Sequence, residues 1–192
     1  MLSANELSHL LMKYTSASRS GGKSALTTED EAAIQSAGWP ANVPTNEWTR
    51  ADVARFLLLR DLAKVVDPET FAAAALECFT QGDAGEQRSW CRAVSLLPAP
   101  ERFLPAMTDT CRTNILPLFE SLACDNPYPA KYFPELHFNQ MVLKAMFNSV
   151  ALARIVGLPE RRNPELSRMS TDYAAERTAA GRSLPPDIAL AQ

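Results

Sequence analysis

A chain of 192 residues, 46% hydrophobic and 21% charged, has the length of one domain and enough apolar side chains for a substantial core, which excludes a disordered composition. A formal net charge of −3, with Lys and Arg interspersed among Asp and Glu, leaves no basic stripe and argues against nucleic acid as a partner. Apolar runs such as "VARFLLL" (53–59) fall far short of the roughly 20 residues needed to cross a bilayer. The N-terminal "MLSANELSHLLMKY" lacks the basic start and long apolar stretch of a signal peptide, so a cytoplasmic, non-membrane-spanning protein is expected.

No run alternates with period two for long enough to argue a strand, and the expected fold class is all-α, a single-domain bundle of about nine helices. In chain order, the first helix is expected over 3–14, followed by a flexible polar loop, "TSASRSGGKSALTT". Thr28 and Glu31 fit a capping box opening a short helix that ends near Gly38. The connector "WPANVPTNEW" is anchored by Trp39 and Trp48. Thr49 caps a helix whose apolar face carries Val53, Phe56, Leu57 and Val66. Asp67-Pro68 restarts the chain as a helix running to Gly82, and Asp83 or Ala84 opens another that ends at Pro98.

A long helix is predicted over 101–124, kinked or broken by Pro117. After the "DNPYP" connector come helices over 134–148 and up to Gly157, then a last one over 164–180. Short links make successive helices antiparallel neighbours, and 49–124 reads as two stacked helical hairpins of the solenoid kind. Residues 1–48 are expected to form N-terminal helices and the flexible loop, with 49–192 as the main helical domain.

Candidate chemistry is sparse. "ASRSGGKS" (17–24) ends like a phosphate loop, but Ala17 stands where glycine is needed and a helix, not a strand, precedes it. The cysteines Cys78, Cys91, Cys111 and Cys124 form no C-x-x-C pair and sit in apolar helical contexts, as reduced structural thiols do. With two histidines there is no metal pattern, no nucleophile–base pair and no signal for a cofactor. The wheel of the 101–124 helix places Asn114 inside the stripe of Phe103, Met107, Cys111 and Leu118, where a buried amide needs partners: carbonyls freed by Pro117, or a ligand.

In the 134–148 helix, His137, Gln140, Lys144 and Asn148 fall in an arc of roughly 80° on an otherwise apolar circumference. A helix so apolar is expected at the centre of the bundle, with its polar line facing solvent or a cavity. Tyr128 and Tyr132 precede it; Arg161 and the last helix's Tyr173, Glu176 and Arg177 follow. The candidate ligand-binding set is therefore Asn114, Tyr128, Tyr132, Gln140, Lys144, Asn148, Arg161, Tyr173, Glu176 and Arg177, with no catalytic residue among them. Lys144 or His137 as an acid/base is the enzymatic alternative, and a protein-interaction scaffold on 49–124 is the other.

The C-terminal half resembles the EboA domain family. The resemblance rests on R-T-N at 112–114, N-P-Y-P at 126–129, F-P-E at 133–135, N-Q-M-V-L-K at 139–144, G-L at 157–158, R-x-N-P-E-L at 161–166 and D-Y-A-x-E-R-x-A-A-G-R at 172–182. Leu136-His137-Phe138 departs from the pattern, which has an aromatic before F/W-N-Q, so His137 is not carried over as a family residue. The first 48 residues contain no matching motif. The resemblance implies an accessory component of bacterial gene clusters that also encode a membrane prenyltransferase and sugar-phosphate-type enzymes, associated with making or exporting a small secondary metabolite. It assigns no catalytic residues. Within that pathway context, the mostly apolar 134–148 helix with its polar line, next to the aromatic and Pro-rich connector, gives as expected partners a hydrophobic or prenylated small molecule, or partner enzymes of the same cluster. Oligomeric state is not legible.

Overall fold

Six of the helices begin at a side chain that accepts a backbone N–H of the first turn: Ser3, Thr27, Thr49, Asp67, Asp83 and Asn163. Each satisfies a donor that the helix itself leaves orphaned. The computed structural model describes residues 1–22 and 24–192, and among them it is all helical, with no strand. The helices are α1 (Ala4–Gly21), α2 (Thr28–Ser36), α3 (Arg50–Leu62), α4 (Pro68–Thr80), α5 (Ala84–Ala93), α6 (Leu104–Thr110), α7 (Leu116–Ala123), α8 (Tyr128–Tyr132), α9 (Glu135–Phe147), α10 (Leu158–Arg161) and α11 (Pro164–Ala179). Nine of these eleven have seven or more residues.

Three boundaries differ from the sequence expectation. α1 continues to Gly21 instead of giving way to a loop at Thr15. Leu10, Tyr14 and Ala17 form one buried stripe, and tertiary packing of that stripe holds the Ser-rich last turns helical. Ala17 to Gly21 of the phosphate-loop lookalike are thus helical, while its Lys23 lies outside the described residues. The capping box of α2 is Thr27 with Asp30, one residue earlier than expected, with both reciprocal bonds made at 3.2 and 2.9 Å. The expected 101–124 helix is three pieces: a 3₁₀ turn at Pro100–Phe103, α6 and α7. Pro117 sits in the first turn of α7, where its missing N–H costs nothing, and the break falls just before it.

The odd-numbered helices α1, α3, α5 and α7 stack one on the next, the layering of stacked hairpins, and α4 packs on α1 and α5. The centre of this stack is α5, not α9 as the apolar circumference of α9 suggested. α9 lies against α7 and α11 and buries one face, Phe138, Met141, Val142, Ala145 and Met146. Its Leu136 and Phe147 are 59% and 60% exposed. Apolar residues on an outer face cost little, so a helix can look central without being so. On α5, Trp90 is fully enclosed, stacked edge-on against Phe103 at 4.9 Å and tilted against Phe79 at 5.2 Å. Its Nε1–H donates to the Ala75 carbonyl at 2.9 Å.

Replacing Trp90 by Ala empties that space and orphans the carbonyl, a loss of about 3–5 kcal/mol. Urea unfolding of Trp90→Ala is expected to show it, and a loss below about 1 kcal/mol would contradict the central position of α5.

Candidate functional site

The predicted site residues do not converge. Lys144 and Gln140, with His137, line a cavity of about 140 Å³ closed by Cys111, Phe133 and Met141. The ammonium of Lys144 is already committed: it donates to the carbonyls of Cys111 and Thr113, both at 2.6 Å, and lies 5.0 Å from the Phe119 ring centroid. It therefore seals the C-terminal end of α6. Burial pulls its pKa down, while Cys111 pushes it up. His137 Nδ1 is shielded from solvent and has no partner among the described residues.

Asn114 contradicts its expected burial. It is exposed in the break between α6 and α7, because that break removes it from the stripe. Tyr128 is buried and donates its hydroxyl to the Pro100 carbonyl at 2.9 Å, with Tyr132 packed on its ring at 4.8 Å. Arg161 donates to the carbonyls of Ala130 and Phe133 at 2.6 and 2.8 Å, beneath the Phe138 ring. Asn148 caps α9 through the Lys144 carbonyl at 2.8 Å, and Tyr173 reaches the Met146 carbonyl at 3.0 Å. Arg177 holds the Ser183 carbonyl at 2.8 Å and, with Tyr173, borders a separate cavity of about 250 Å³ near the C-terminus; Glu176 is exposed. Most of the set ties backbone to backbone.

The constellation that sequence reasoning missed lies where α1, α3 and α5 meet. Asp52, Arg55, Glu86, Ser89 and Arg92 are all buried. Asp52 Oδ2 accepts from Arg92 Nη1 at 3.0 Å and from the Thr49 N–H at 2.8 Å, and Asp52 Oδ1 accepts from the Ser89 hydroxyl. Arg55 donates to Ser89 Oγ at 2.8 Å and to the Tyr14 carbonyl at 3.0 Å, with Glu86 Oε1 at 3.9 Å. Tyr14 in turn donates to the Glu86 carbonyl at 3.3 Å.

Burial pulls the Arg92 pKa below its usual range, Asp52 draws it back up, and the neighbouring Arg88 lowers it again. The signal available in sequence was the spacing of Asp52 and Arg55 on the buried face of α3, beside Phe56 and Leu59, and of Glu86, Ser89 and Arg92 on α5. This network floors an open cleft of about 700 Å³, walled by Trp48, Asn46 and Arg88. A groove of about 800 Å³ past Leu26 and Pro44 adjoins it through Ala25, Asn46 and Trp48. The volume is in the range of small-molecule sites, and the floor is held by ion pairs and hydrogen bonds. Trp48 is itself fixed edge-on against Trp39 at 5.1 Å, and Trp39 Nε1–H is held by the Val43 carbonyl at 3.0 Å.

The thiols offer no nucleophile. Burial pushes Cys78, Cys111 and Cys124 up to about 12 and raises Cys91 as well. None of the helices among the described residues is long and apolar enough to cross a membrane.

A family profile described as "Metabolite traffic protein EboA" matches residues 1–191. The chain belongs to the EboA family. The match takes in the first 48 residues, where no motif had been legible, and with them α1, which packs on α3. No curated protein and no solved structure matches this EboA-family chain.

Two expectations follow for the EboA-family chain. Asp52→Ala leaves Arg92 buried without its partner and costs about 3–5 kcal/mol, whereas adding Arg92→Met to Asp52→Ala returns part of that loss. Chemical denaturation of both variants decides it, and a double variant less stable than the single one would refute the pairing. The second concerns pH. The folded state holds the thiol protons more tightly than the unfolded state, so this stabilisation is complete below the ordinary thiol value of about 8.5. It drains away as pH rises toward the folded value of about 12. Urea midpoints at pH 7 and pH 9.5 (roughly one unit above the ordinary value) should fall in that order, and equal midpoints would count against buried thiols.

Proposed function

We propose that this chain is a non-catalytic accessory protein of a bacterial secondary-metabolite pathway, acting in the cytoplasm. It binds a hydrophobic or prenylated intermediate and presents it to partner enzymes of the same gene cluster. The observation that carries the reading is the cleft of about 700 Å³ over the Asp52–Ser89–Arg92 network, open to solvent and continuous with the groove along Leu26, Pro44 and Trp48. The family description, metabolite traffic, supports a carrier over a catalyst. So does the condition of the thiols and of Lys144: the thiols are held protonated, and the Lys144 ammonium is occupied by two carbonyls.

The cavity beside Lys144 and Gln140, at about 140 Å³, is too small for a prenyl chain, which favours the larger cleft as the seat of the ligand. A docking surface on 49–124 has less support, because Val65, Ile115 and Leu116 are its only exposed large hydrophobic residues.

Native mass spectrometry of the chain purified from cells carrying the complete pathway is expected to show a retained small molecule. Asn46→Trp, at an exposed position shared by cleft and groove, is expected to abolish the adduct without lowering the melting temperature. A bare mass for the unsubstituted chain, or an adduct that survives Asn46→Trp, would sink the reading.

A further inference from the structure

We infer that the cleft takes an anionic group of its ligand, a phosphate or a carboxylate, on the guanidinium of Arg88. The inference rests on the reading of the cleft as a metabolite site, and it names the chemistry that the site selects.

Arg88 is half-buried on α5 and borders both the large cleft and a narrow pocket of about 30 Å³ behind it. Its Nε is shielded from solvent with no hydrogen-bond partner among the described residues. None of the ion pairs among the described residues includes it. The other arginines lining these two cavities are engaged: Arg55 by Ser89 and the Tyr14 carbonyl, Arg92 by Asp52, and Arg154 by Asp125 at 2.8 Å. A fold that gives every neighbouring arginine an acceptor leaves the Arg88 guanidinium unpaired among the described residues, on the lining of a ligand-sized space.

The two Nη groups at the end of the planar guanidinium match a carboxylate or phosphate edge by two parallel hydrogen bonds, a match that an ammonium does not offer, while the shielded Nε takes no part. Arg92, one helical turn along, is paired with Asp52; burial is the main cause that lowers its pKa, Asp52 raises it, and Arg88 lowers it further, a repulsion that an anion beside Arg88 would relieve. Glu47 borders both cavities, is exposed, and belongs to none of these ion pairs, so it is the carboxylate that an incoming anion must displace or tolerate. Asp83 does not compete, because its side chain caps α5 through the Glu86 N–H at 2.8 Å. Beyond the guanidinium, Trp48, Pro44 and Leu26 offer an apolar wall, so the favoured ligand has an anionic head and an apolar body.

Isothermal titration of the full chain with n-octyl phosphate, octanoate and n-octanol tests the inference. At least one anion is expected to saturate the chain with a dissociation constant below about 1 mM, and the tighter of the two names the head group. Octanol binding as tightly as either anion would overturn it, as would no saturable anion binding. Arg88→Met is expected to weaken the anion about tenfold to hundredfold, Arg88→Lys to recover part of that, and Glu47→Gln to tighten binding several-fold. Lys64→Met, on a remote surface pair, should change nothing.

A merely structural Arg88 is separated by melting. Arg88→Met should leave the melting temperature unchanged or raised, whereas Arg92→Met should lower it; an equal fall in both would reject the ligand role. An adduct in native mass spectra that persists in Arg88→Met would leave metabolite binding standing and overturn the anion contact. An adduct missing from the unsubstituted chain would instead remove the metabolite reading and this inference together.

Discussion

A carboxylate that is 3% exposed on an interior helix face must be neutralised locally, and Asp52 is where this fold meets that constraint. Its two oxygens are divided between the cap of α3 and the side chains of α5, so one group both starts a helix and fixes where the next layer lies. Arg55, leaving α3 one turn later, reaches back to α1 and forward to Ser89. Three helices are thereby held in one register by charges that cannot slide past each other without loss of hydrogen bonds. Buried pairs of this kind add little net stability over an apolar core, but they penalise every alternative packing. The cleft inherits its shape from this arrangement, since its floor is the solvent-facing edge of the network.

The residues by which the family is recognised do a different job. Asn126 of the N-P-Y-P segment is buried and donates to the carbonyls of Cys91 and Ser121 at 2.8 and 3.0 Å, joining the end of α7 to α5. Asn139 and Asn163 exchange reciprocal amide bonds at 3.0 Å, and Asn163 also caps α11. Gly157, at φ +73°, lies so close to Ala130 that an added Cβ would stand 2.7 Å from the Ala130 methyl. These motifs close loops and helix ends that the backbone alone leaves unsatisfied. They identify the fold, and the cleft-lining residues Arg88, Trp48 and Asn46 lie outside them.

How much could be read in advance follows the same division. The caps at Ser3, Thr49, Asp67 and Asn163 are local signals, two or three residues long, and they place the helix starts they belong to. Pro117 marks its break for an equally local reason. The Asp52 cluster stayed hidden because its partners, Ser89 and Arg92, are 37 and 40 residues further along, and a helical wheel assigns a charged side chain to solvent by default. Asn114 shows the converse error: a wheel drawn through a helix that is in fact broken gives a buried position to an exposed residue. The polar line on α9 was real as a pattern, yet Lys144 and Asn148 serve helix ends, information that resides in the neighbouring loop and not in α9 itself.

The contact between α1 and α5 also bears on how the chain is made. The Tyr14 hydroxyl and the Glu86 carbonyl are 72 residues apart, so the buried stripe of α1 lacks its α5 partner until long after it leaves the ribosome. At about 5–20 residues per second it waits on the order of 4–14 s for α5 to emerge. During that interval α3 is the part of the stack already available to cover Leu10, Tyr14 and Ala17, and the side of the stripe that meets α5 stays open, a surface for a chaperone to hold. The stack of α1, α3 and α5 is therefore complete only when α5 is made, although α1 and α3 are present earlier.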